Sequence, residues 1–344
     1  NIAVGRRLGF KSLRLVSESI NLSDASQARA LLQFVMKVAF VFEAIGAALL
    51  ALVFVPQFGA DGIFISVFIS ISSFCNAGFD ILGRVMPGGS VIPYQSNPYV
   101  LAVISLLIIS GGLGFLVWQD LSAYHRTHHL RTHTKLVLWI TGWLLLLGTA
   151  GILFMEYNNP LTLGPMNLFD KITNAAFQSV SARTAGYNSI PLGDMTNFTK
   201  IFMSLLMFIG AAPGGTGGGI KVTTLSVVLL AVASVVRGRD EAMIFGRRID
   251  HKTVYKSLTI LMLSLFAVIA ASMTLFYNTG PELNEVNSVF EAVSAFGTVG
   301  LSVGVTPLMN PFARVVTMLT MFIGRVGPVS LAISLSARKD SAAA

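Results

Sequence analysis

Long apolar stretches alternate with polar connections along the chain, and this pattern predicts membrane helices. Three apolar runs exceed the ~18 nearly uncharged residues that a helix needs to cross a bilayer. Each run is followed by a shorter apolar segment and then by another long helix. The predicted first helices cover residues 33–55, 134–154 and 254–276, and the closing helices begin near Pro98, Asn197 and Pro311. In two closing helices an Asn precedes the Pro, the usual order of N-cap and first helical residue, and Asn197 is the predicted cap of the other.

The short segments also match one another in sequence. The pattern Phe-x-x-(Ile/Val)-Ser occurs at 68–72, 177–181 and 290–294, and a glycine follows each one. These glycines are Gly78, Gly186 and Gly300, which are 108 and 114 residues apart. Met-Phe-Ile-Gly then begins 21 residues after two of them, at 207–210 and 321–324. Matches at fixed offsets indicate three repeats of one structural unit.

Composition and charge place the chain in a membrane. Apolar residues make up 53% and charged residues 12%, too few charges for an ordinary soluble globule of this length. The net charge of +8 does not indicate a nucleic-acid partner, because the basic residues cluster in alternate connections, as cytoplasmic loops do. The basic groups are Arg6, Arg7, Lys11, Arg14, Arg29 and Lys37; Arg126, Arg131 and Lys135; Arg237, Arg239, Arg247, Arg248, Lys252 and Lys256; and Arg338 and Lys339. The opposite connections carry Asp61, Asp80, Glu156, Asp170, Asp194, Glu282 and Glu285, which either attract cations to a pore entrance or simply solvate loops. The single cysteine, Cys75, excludes an internal disulfide.

Each short segment, with about 10 to 14 residues, cannot span a bilayer and is predicted to dip in as a helix and return as extended chain. Such a return strand lines water, and its glycine lets backbone carbonyls approach a cation without a Cβ. The candidate filter residues are Asn76, Ala77, Gly78 and Phe79; Thr184, Ala185, Gly186 and Tyr187; and Thr298, Val299, Gly300 and Leu301. None is a carboxylate, which disfavours a divalent ion, and no metal other than K+ is expected. The alternative is that each glycine merely caps a helix.

A glycine-rich segment interrupts the region 197–236, which is too long for one span. Pro213 and the glycines that follow it disfavour helix, so a loop inside the membrane is predicted, placed below the filter as a movable barrier. The candidate gate residues are Gly214, Gly215, Thr216, Gly217, Gly218, Gly219, Lys221 and Arg325. A phosphate-binding loop is disfavoured because Ile220 separates the last glycine from Lys221.

Several charged and titratable residues have two interpretations. Arg325 lies deep in the last helix, where a charge faces an aqueous interior or forms a structural ion pair. Lys221 anchors the end of the loop or extends to the interface. Glu43 and Glu291 are expected to form hydrogen bonds within the bundle. Three histidines recur at helical spacing, His125, His129 and His133, and His128 lies beside them. They form either a face that binds a metal or senses pH, or a surface that is solvated or contacts a partner.

At these motifs the chain resembles the Trk/Ktr/HKT superfamily, and most of all the Ktr membrane subunit. Cys-Asn-Ala-Gly-Phe-Asp at 75–80, Ser-Ala-Arg-Thr-Ala-Gly-Tyr-Asn at 181–188 and Gly-Thr-Val-Gly-Leu-Ser at 297–302 look like its filters. Gly-Gly-Thr-Gly-Gly-Gly-Ile-Lys at 214–221 is similar to its gate, near which Arg325 would oppose cation passage.

The resemblance implies K+ uptake across a bacterial plasma membrane, with Na+ as a possible activator and no organic cofactor in this chain. The implied protein is a homodimer in membrane lipid, with one pore per subunit and a cytoplasmic nucleotide-binding ring of the RCK type. Filter loops would face outward and basic loops the cytoplasm. Glycine at the three central positions goes with K+ preference.

The implied fold is an all-α integral membrane protein built from helix, pore helix, filter loop and helix around a pseudo-fourfold pore. The expected organisation is a cytoplasmic lead-in at 1–32, repeats at 33–118, 134–236 and 254–336, and a tail at 337–344. The superfamily has four repeats and three occur here, so an upstream first repeat is expected, since the chain begins without Met. The transport alternative is a symporter with alternating access. An enzyme is disfavoured because the sequence contains no nucleophile, paired carboxylates or metal cluster in a membrane segment.

Overall fold

The computed structural model describes residues 25–239, 241–279 and 284–327, and the regular secondary structure in these ranges is almost entirely helix. The helices, in chain order, are α1 (Ala25–Phe58), α2 (Asp61–Phe74), α3 (Pro98–Gly112), α4 (Phe115–Thr127), α5 (Thr132–Glu156), α6 (Leu168–Ser181), α7 (Asn197–Phe208), α8 (Val222–Val236), α9 (His251–Thr279), α10 (Glu285–Gly297) and α11 (Pro311–Val326). Two short strands, β1 (Met243–Ile244) and β2 (Arg247–Arg248), pair as an antiparallel hairpin. The all-α prediction is confirmed.

The three repeats fold as predicted into a long helix, a short helix and a closing helix. The long helices α1, α5 and α9 pack against the short helices α2, α6 and α10 that follow them. Among the described residues three helices are long and apolar enough to cross a membrane, namely Leu31–Phe58, Thr132–Glu156 and His251–Asn278. The bent pair α3 and α4 would be a fourth span if it counts as one. Large apolar side chains on these helices, such as Phe40 and Phe154, face outward, as expected for a surface in contact with lipid.

The starts of the closing helices agree with the sequence at two of three positions. The side chains of Asn97 and Asn310 accept hydrogen bonds from the backbone N–H of Val100 and Ala313. The prediction for Asn197 is wrong, since the cap is Thr196, whose hydroxyl accepts from Thr199 N at 3.2 Å. Both residue types are favoured caps, so a side-chain pattern alone leaves the position uncertain by one residue.

The first closing helix bends sharply, a feature that the apolar pattern of the sequence does not indicate. Helices α3 and α4 meet at 94°, and Gly114 at the corner has a φ of +86°. A non-glycine residue would be strained at this φ, so glycine allows the turn. The predicted end of this repeat at residue 118 therefore falls inside α4 rather than at a helix end.

Two apolar clusters lie behind the short helices. One joins the first repeat to buried residues of the second filter loop, including Tyr187. The other joins the second and third repeats around residues such as Phe290 and Phe296. The second and third filter loops are thus supported by core contributed by a neighbouring repeat. The predicted tail at 337–344, most of the lead-in, the end of the last repeat at 336 and Glu282 lie outside the described residues.

Candidate functional site

The short helices α2 and α10 end in the same capped turn, and the filter glycines are not its caps. In α2 the N–H groups of Asn76 and Ala77 donate to the carbonyls of Ser73 and Ser72 at 3.1 and 2.8 Å. In α10 the N–H groups of Thr298 and Val299 donate to Ala295 O and Ser294 O at 3.0 and 2.9 Å. Asn76 and Thr298, both with φ of +50°, occupy the left-handed cap position of this motif. The capping role is filled two residues before each glycine, so the helix-cap explanation of the glycines is wrong for these loops.

In the first two loops the hydroxyl of the repeated serine holds the return strand against its helix. Ser72 Oγ donates to Phe79 O at 2.7 Å, and Ser181 Oγ donates to Tyr187 O. These acceptors follow the filter glycines directly. In all three loops the residue before the glycine also donates its N–H to the carbonyl of the motif serine, at 2.8 to 3.0 Å. In the first two loops the serine of Phe-x-x-(Ile/Val)-Ser therefore fixes the loop on both sides of the glycine, and in the third loop the backbone carbonyl of Ser294 fixes the residue before the glycine.

The backbone at each tip alternates in handedness. Gly78, Gly186 and Gly300 have φ of +70°, +89° and +90°. The residues two positions earlier, Asn76, Thr184 and Thr298, also have positive φ, whereas those between have negative φ. An L-residue rarely adopts positive φ, so the same alternation at three equivalent places defines one backbone shape.

The glycines face one another around a common centre. A Cβ on Gly78 would lie 2.4 Å from Ala185 O, and a Cβ on Gly186 would lie 2.4 Å from Val299 O. The nearest atom to a Cβ on Gly300 would be Gly186 Cα at 3.7 Å. Each glycine in the first two loops thus meets the carbonyl of the next loop. The three loops therefore form an arc, in which Gly78, Gly186 and Gly300 follow one another. Within the described ranges no further loop packs against Gly300 to close this arc into a ring.

Hydrogen bonds join the first two filter loops directly. Tyr187, which is buried, donates its hydroxyl to Phe79 O at 3.1 Å. The Asn76 side-chain amide lies 3.1 Å from Thr184 Oγ1. In the amide orientation in which the Asn76 oxygen accepts from the Thr184 hydroxyl, the Asn76 nitrogen donates to Ile108 O at 3.2 Å and to Thr216 Oγ1 at 3.3 Å. Asn76 therefore links two filter loops to the glycine-rich segment below them.

Residues 209–221 form the loop predicted inside the membrane, between α7 and α8. Its two ends are joined, since Ile209 and Ile220 form a parallel bridge and Gly210 N donates to Ile220 O at 2.9 Å. Its glycines lie against the filter threonines. A Cβ on Gly217 would lie 2.0 Å from Thr184 Oγ1, and one on Gly218 would lie 2.3 Å from Thr298 Oγ1. The loop can lie this close only because these positions have no side chain.

The bend after α3 provides partners for this loop. Ala212 N donates to Gly112 O at 3.0 Å, and Thr216 N donates to Gly111 O at 3.1 Å. In return Phe115 N donates to Gly214 O at 3.1 Å. The last carbonyls of a helix lack intrahelical donors, so ending α3 here exposes acceptors that bind the loop backbone. The bend and the loop satisfy each other's backbone groups.

Lys221 and Arg325 bind carbonyls in the middle of the loop. Lys221 Nζ donates to Gly217 O at 2.7 Å, and Arg325 donates through a guanidinium nitrogen to Thr216 O. Among the described residues no carboxylate lies within 4.0 Å of Arg325, so the ion-pair interpretation finds no partner there. Lys221 folds back onto the loop, as in the anchoring interpretation.

Comparison with known proteins decides the family. A family model described as TrkH, cation transport protein, matches residues 12–343. The chain belongs to this TrkH cation transport family. Potassium/sodium uptake protein NtpJ of Enterococcus hirae is 38% identical over 342 residues, which cover 98% of this chain and 74% of that protein. Ktr system potassium uptake protein B of Bacillus subtilis is 36% identical over 339 residues, covering 98% of this chain and 75% of that protein.

A solved TrkH structure shares the fold. The potassium transporter TrkH from Vibrio parahaemolyticus superposes with a TM-score of 0.69 over 90% of this chain at 17% identity. The matched part is 64% of the length of that structure's chain. The resemblance to this transporter superfamily is therefore confirmed, and the chain is a multi-pass membrane protein of a transport family.

The histidines of this TrkH-family chain do not share a helix face. Helix α4 ends at Thr127 and α5 begins at Thr132, so a break separates His125 from His133, and His128 is the left-handed cap of α4. Within the described ranges no three His, Cys, Asp or Glu side chains are placed to hold a metal. The histidines therefore do not form the single helical face that their spacing suggested, because the helix is interrupted between them.

Glu156 is a buried carboxylate, so it does not simply solvate a loop. Its carboxylate is fully buried and accepts hydrogen bonds from the side chains of Asn159, Thr162 and Thr199 and from Thr196 N. A saturated carboxylate of this kind ties the start of α7 to the end of α5. Glu291 does form the expected hydrogen bond, accepting from Thr306 Oγ1.

Proposed function

We propose that the chain takes up K+ across a bacterial plasma membrane through the arc of filter loops. The observation that carries the proposal is the packing of Gly78 and Gly186 against the carbonyls of Ala185 and Val299. Carbonyls gathered around one axis replace the hydration shell of a monovalent cation. The carbonyl ends of α2, α6 and α10 lie at the same loops and add negative potential for the ion.

The relatives support K+ as the ion and uptake as its direction. The two quoted above are described as potassium/sodium and potassium uptake proteins. On this proposal the filter loops face outward, and the basic connections, including the hairpin residues Arg247 and Arg248, face the cytoplasm. The glycine-rich loop at 209–221 lies on the cytoplasmic side of the filter and is the gate.

Regulation and assembly follow from the same relationship. Relatives named as Ktr system proteins support a partnership with a cytoplasmic regulatory subunit, and our proposal makes this subunit an RCK-type nucleotide-binding ring. We include in the proposal a homodimer in membrane lipid, with one pore per subunit, and activation by Na+. No organic cofactor is part of the proposal.

A channel-like mechanism is favoured over a symporter with alternating access. Rocking repeats would have to separate filter loops during each cycle. Here Tyr187 binds Phe79 O across loops, and the Asn76 amide contacts Thr184 Oγ1. These bonds favour a fixed filter with a separate moving part beneath it.

The first test is Gly300→Ser. A Cβ fits at this position, with its nearest neighbour at 3.7 Å, but the φ of +90° disfavours any L-residue. The strand is expected to rotate its carbonyl, and K+ over Na+ discrimination should fall by about tenfold, equivalent to about 1.4 kcal/mol. Competitive Rb+ and Na+ flux into proteoliposomes containing the full protein measures this ratio. An unchanged ratio would mean that Gly300 is not part of the filter, while failure of the unmodified protein to support growth at low K+ would refute K+ uptake itself.

A second test is Arg325→Ala. Removing the guanidinium takes a positive charge from beneath the filter and one donor from Thr216 O. K+ influx is expected to rise about three- to tenfold, because both effects favour a cation at the gate. Arg325→Lys is the control, since it retains the charge without the planar fork, and it should give a smaller rise. An influx equal to that of the unmodified protein would leave Arg325 a structural role only.

A further inference from the structure

Arg183 is a buried cation that none of the roles above uses. It lies between the end of α6 and the filter residue Thr184, and its residue is 8% exposed. Among the described residues its side chain has no carboxylate within 4.0 Å. Burying a charge without a partner of opposite sign is costly, so its position requires another explanation.

One edge of the guanidinium faces the gate. Arg183 Nη2 lies 3.4 Å from Gly210 O, the carbonyl at the start of the glycine-rich loop. Gly210 is also the residue whose N–H closes the base of the loop on Ile220 O. Arg183 thus reaches the base of the loop, whereas Lys221 and Arg325 bind its middle.

The other edge of the guanidinium faces a small cavity. This cavity, of about 10 Å³, is lined by Arg183, Thr141, Gly112 and Ala211, together with apolar side chains of α3, α5 and α6. Arg183 Nε and Thr141 Oγ1 are both buried without a hydrogen-bond partner in the described structure. Two unpaired polar atoms in one cavity of roughly the size of a water molecule are the usual signature of a bound water.

We propose that Arg183 is a positioning residue that fastens the base of the gate loop to the filter, with one water bridging its Nε to Thr141 Oγ1. The inference rests on the proposed gate function. The planar guanidinium donates in two directions at once, to Gly210 O through Nη2 and to the water through Nε. The water in turn bonds to the Thr141 hydroxyl, so the arginine is held between α5 and the loop. A displacement of either would be transmitted to the other.

The experiment compares Rb+ flux through full-length Arg183→Gln and Arg183→Lys in proteoliposomes. Arg183→Gln should raise the basal flux by about tenfold, because a hydrogen bond to a charged group is lost, while K+ over Na+ discrimination is kept. Arg183→Lys should raise it less, since a charge remains without the second donor edge. Thr141→Val should give a smaller rise than Arg183→Gln, and Thr141→Ser, which keeps the hydroxyl, should match the unmodified protein.

The direction of the change separates positioning from mere support of the fold. An unchanged basal flux in a folded Arg183→Gln protein, or a fall in flux together with lost discrimination, would overturn the inference. If Arg183→Gln does not fold, Arg183→Lys and Thr141→Val decide by the same criteria. A density map of the unmodified protein should contain a peak between Arg183 Nε and Thr141 Oγ1 that is lost in Thr141→Val, and its absence from a well-ordered map would refute the water. If deletion of residues 214–219 raises flux and Arg183→Gln does not, the inference fails and the proposed gate stands.

Discussion

Gly186→Ala is expected to abolish K+ uptake. The new methyl group would lie 2.4 Å from Val299 O and 3.2 Å from Gly78 Cα, and the φ of +89° adds strain. Overpacking costs about 1–3 kcal/mol and a left-handed backbone about 1–2 kcal/mol for an L-residue. The loops cannot separate freely, because Ala185 N and Val299 N are bonded to their own pore helices. Rb+ uptake by cells that lack other K+ uptake systems should fall by more than about tenfold.

Gly304→Ala is the matched control for this change. Gly304 has a similar φ of +92° and no atom within 4 Å of its Cβ position, so it carries the backbone strain without the clash. It should retain most of the uptake. If Gly186→Ala and Gly304→Ala have equal effects, backbone strain and not crowding between loops explains the loss. Normal uptake and selectivity in Gly186→Ala would contradict the filter assignment of this loop.

The repeats and helix starts could be predicted because their causes are local in sequence. The Asn97 side chain caps its helix by accepting from the N–H of a residue three positions later, and Ser72 donates to a carbonyl seven positions later. A short sequence pattern therefore contains both partners of each bond. The intramembrane loop was predictable for a similar reason, since Pro213 and the glycines after it disfavour helix whatever surrounds them.

The missed features depend on partners far apart in the chain. The bend at Gly114 is completed by the bond from Phe115 N to Gly214 O, and the role of Asn76 comes from Thr184, 108 residues away. Glu156 resembled a loop carboxylate because its donors at 196 and 199 lie on a different helix. The sequence motif Ser-Ala-Arg-Thr gives no sign that Arg183 is buried or that it contacts Gly210 O, because that carbonyl lies 27 residues away in the chain.

Deletion of residues 214–219 is expected to give the largest gain in basal flux. It removes the segment that lies against Thr184 and Thr298, together with the acceptors of Lys221 and Arg325. Ile209 and Ile220, which pair with each other at the two ends of the loop, lie outside the deletion. We therefore expect α7 and α8 to stay connected and folded. Basal Rb+ leak from proteoliposomes should rise by at least about tenfold, since the barrier is removed rather than moved.

Gly217→Ala tests the same barrier without shortening the chain. Its methyl group would lie 2.0 Å from Thr184 Oγ1 and 2.7 Å from Ala211 Cβ, so the loop must move away from the filter. Leak should rise in the same direction as in the deletion, by about three- to tenfold, as expected for a loop displaced at a cost of roughly 1–3 kcal/mol. Gly214→Asn is the control, because the space there is open and asparagine tolerates the φ of +73°. The loop is not the gate if a folded Gly217→Ala protein has unchanged or lower leak and the deletion variant does not leak either. In that case neither crowding the loop nor removing it would affect the path of the ion.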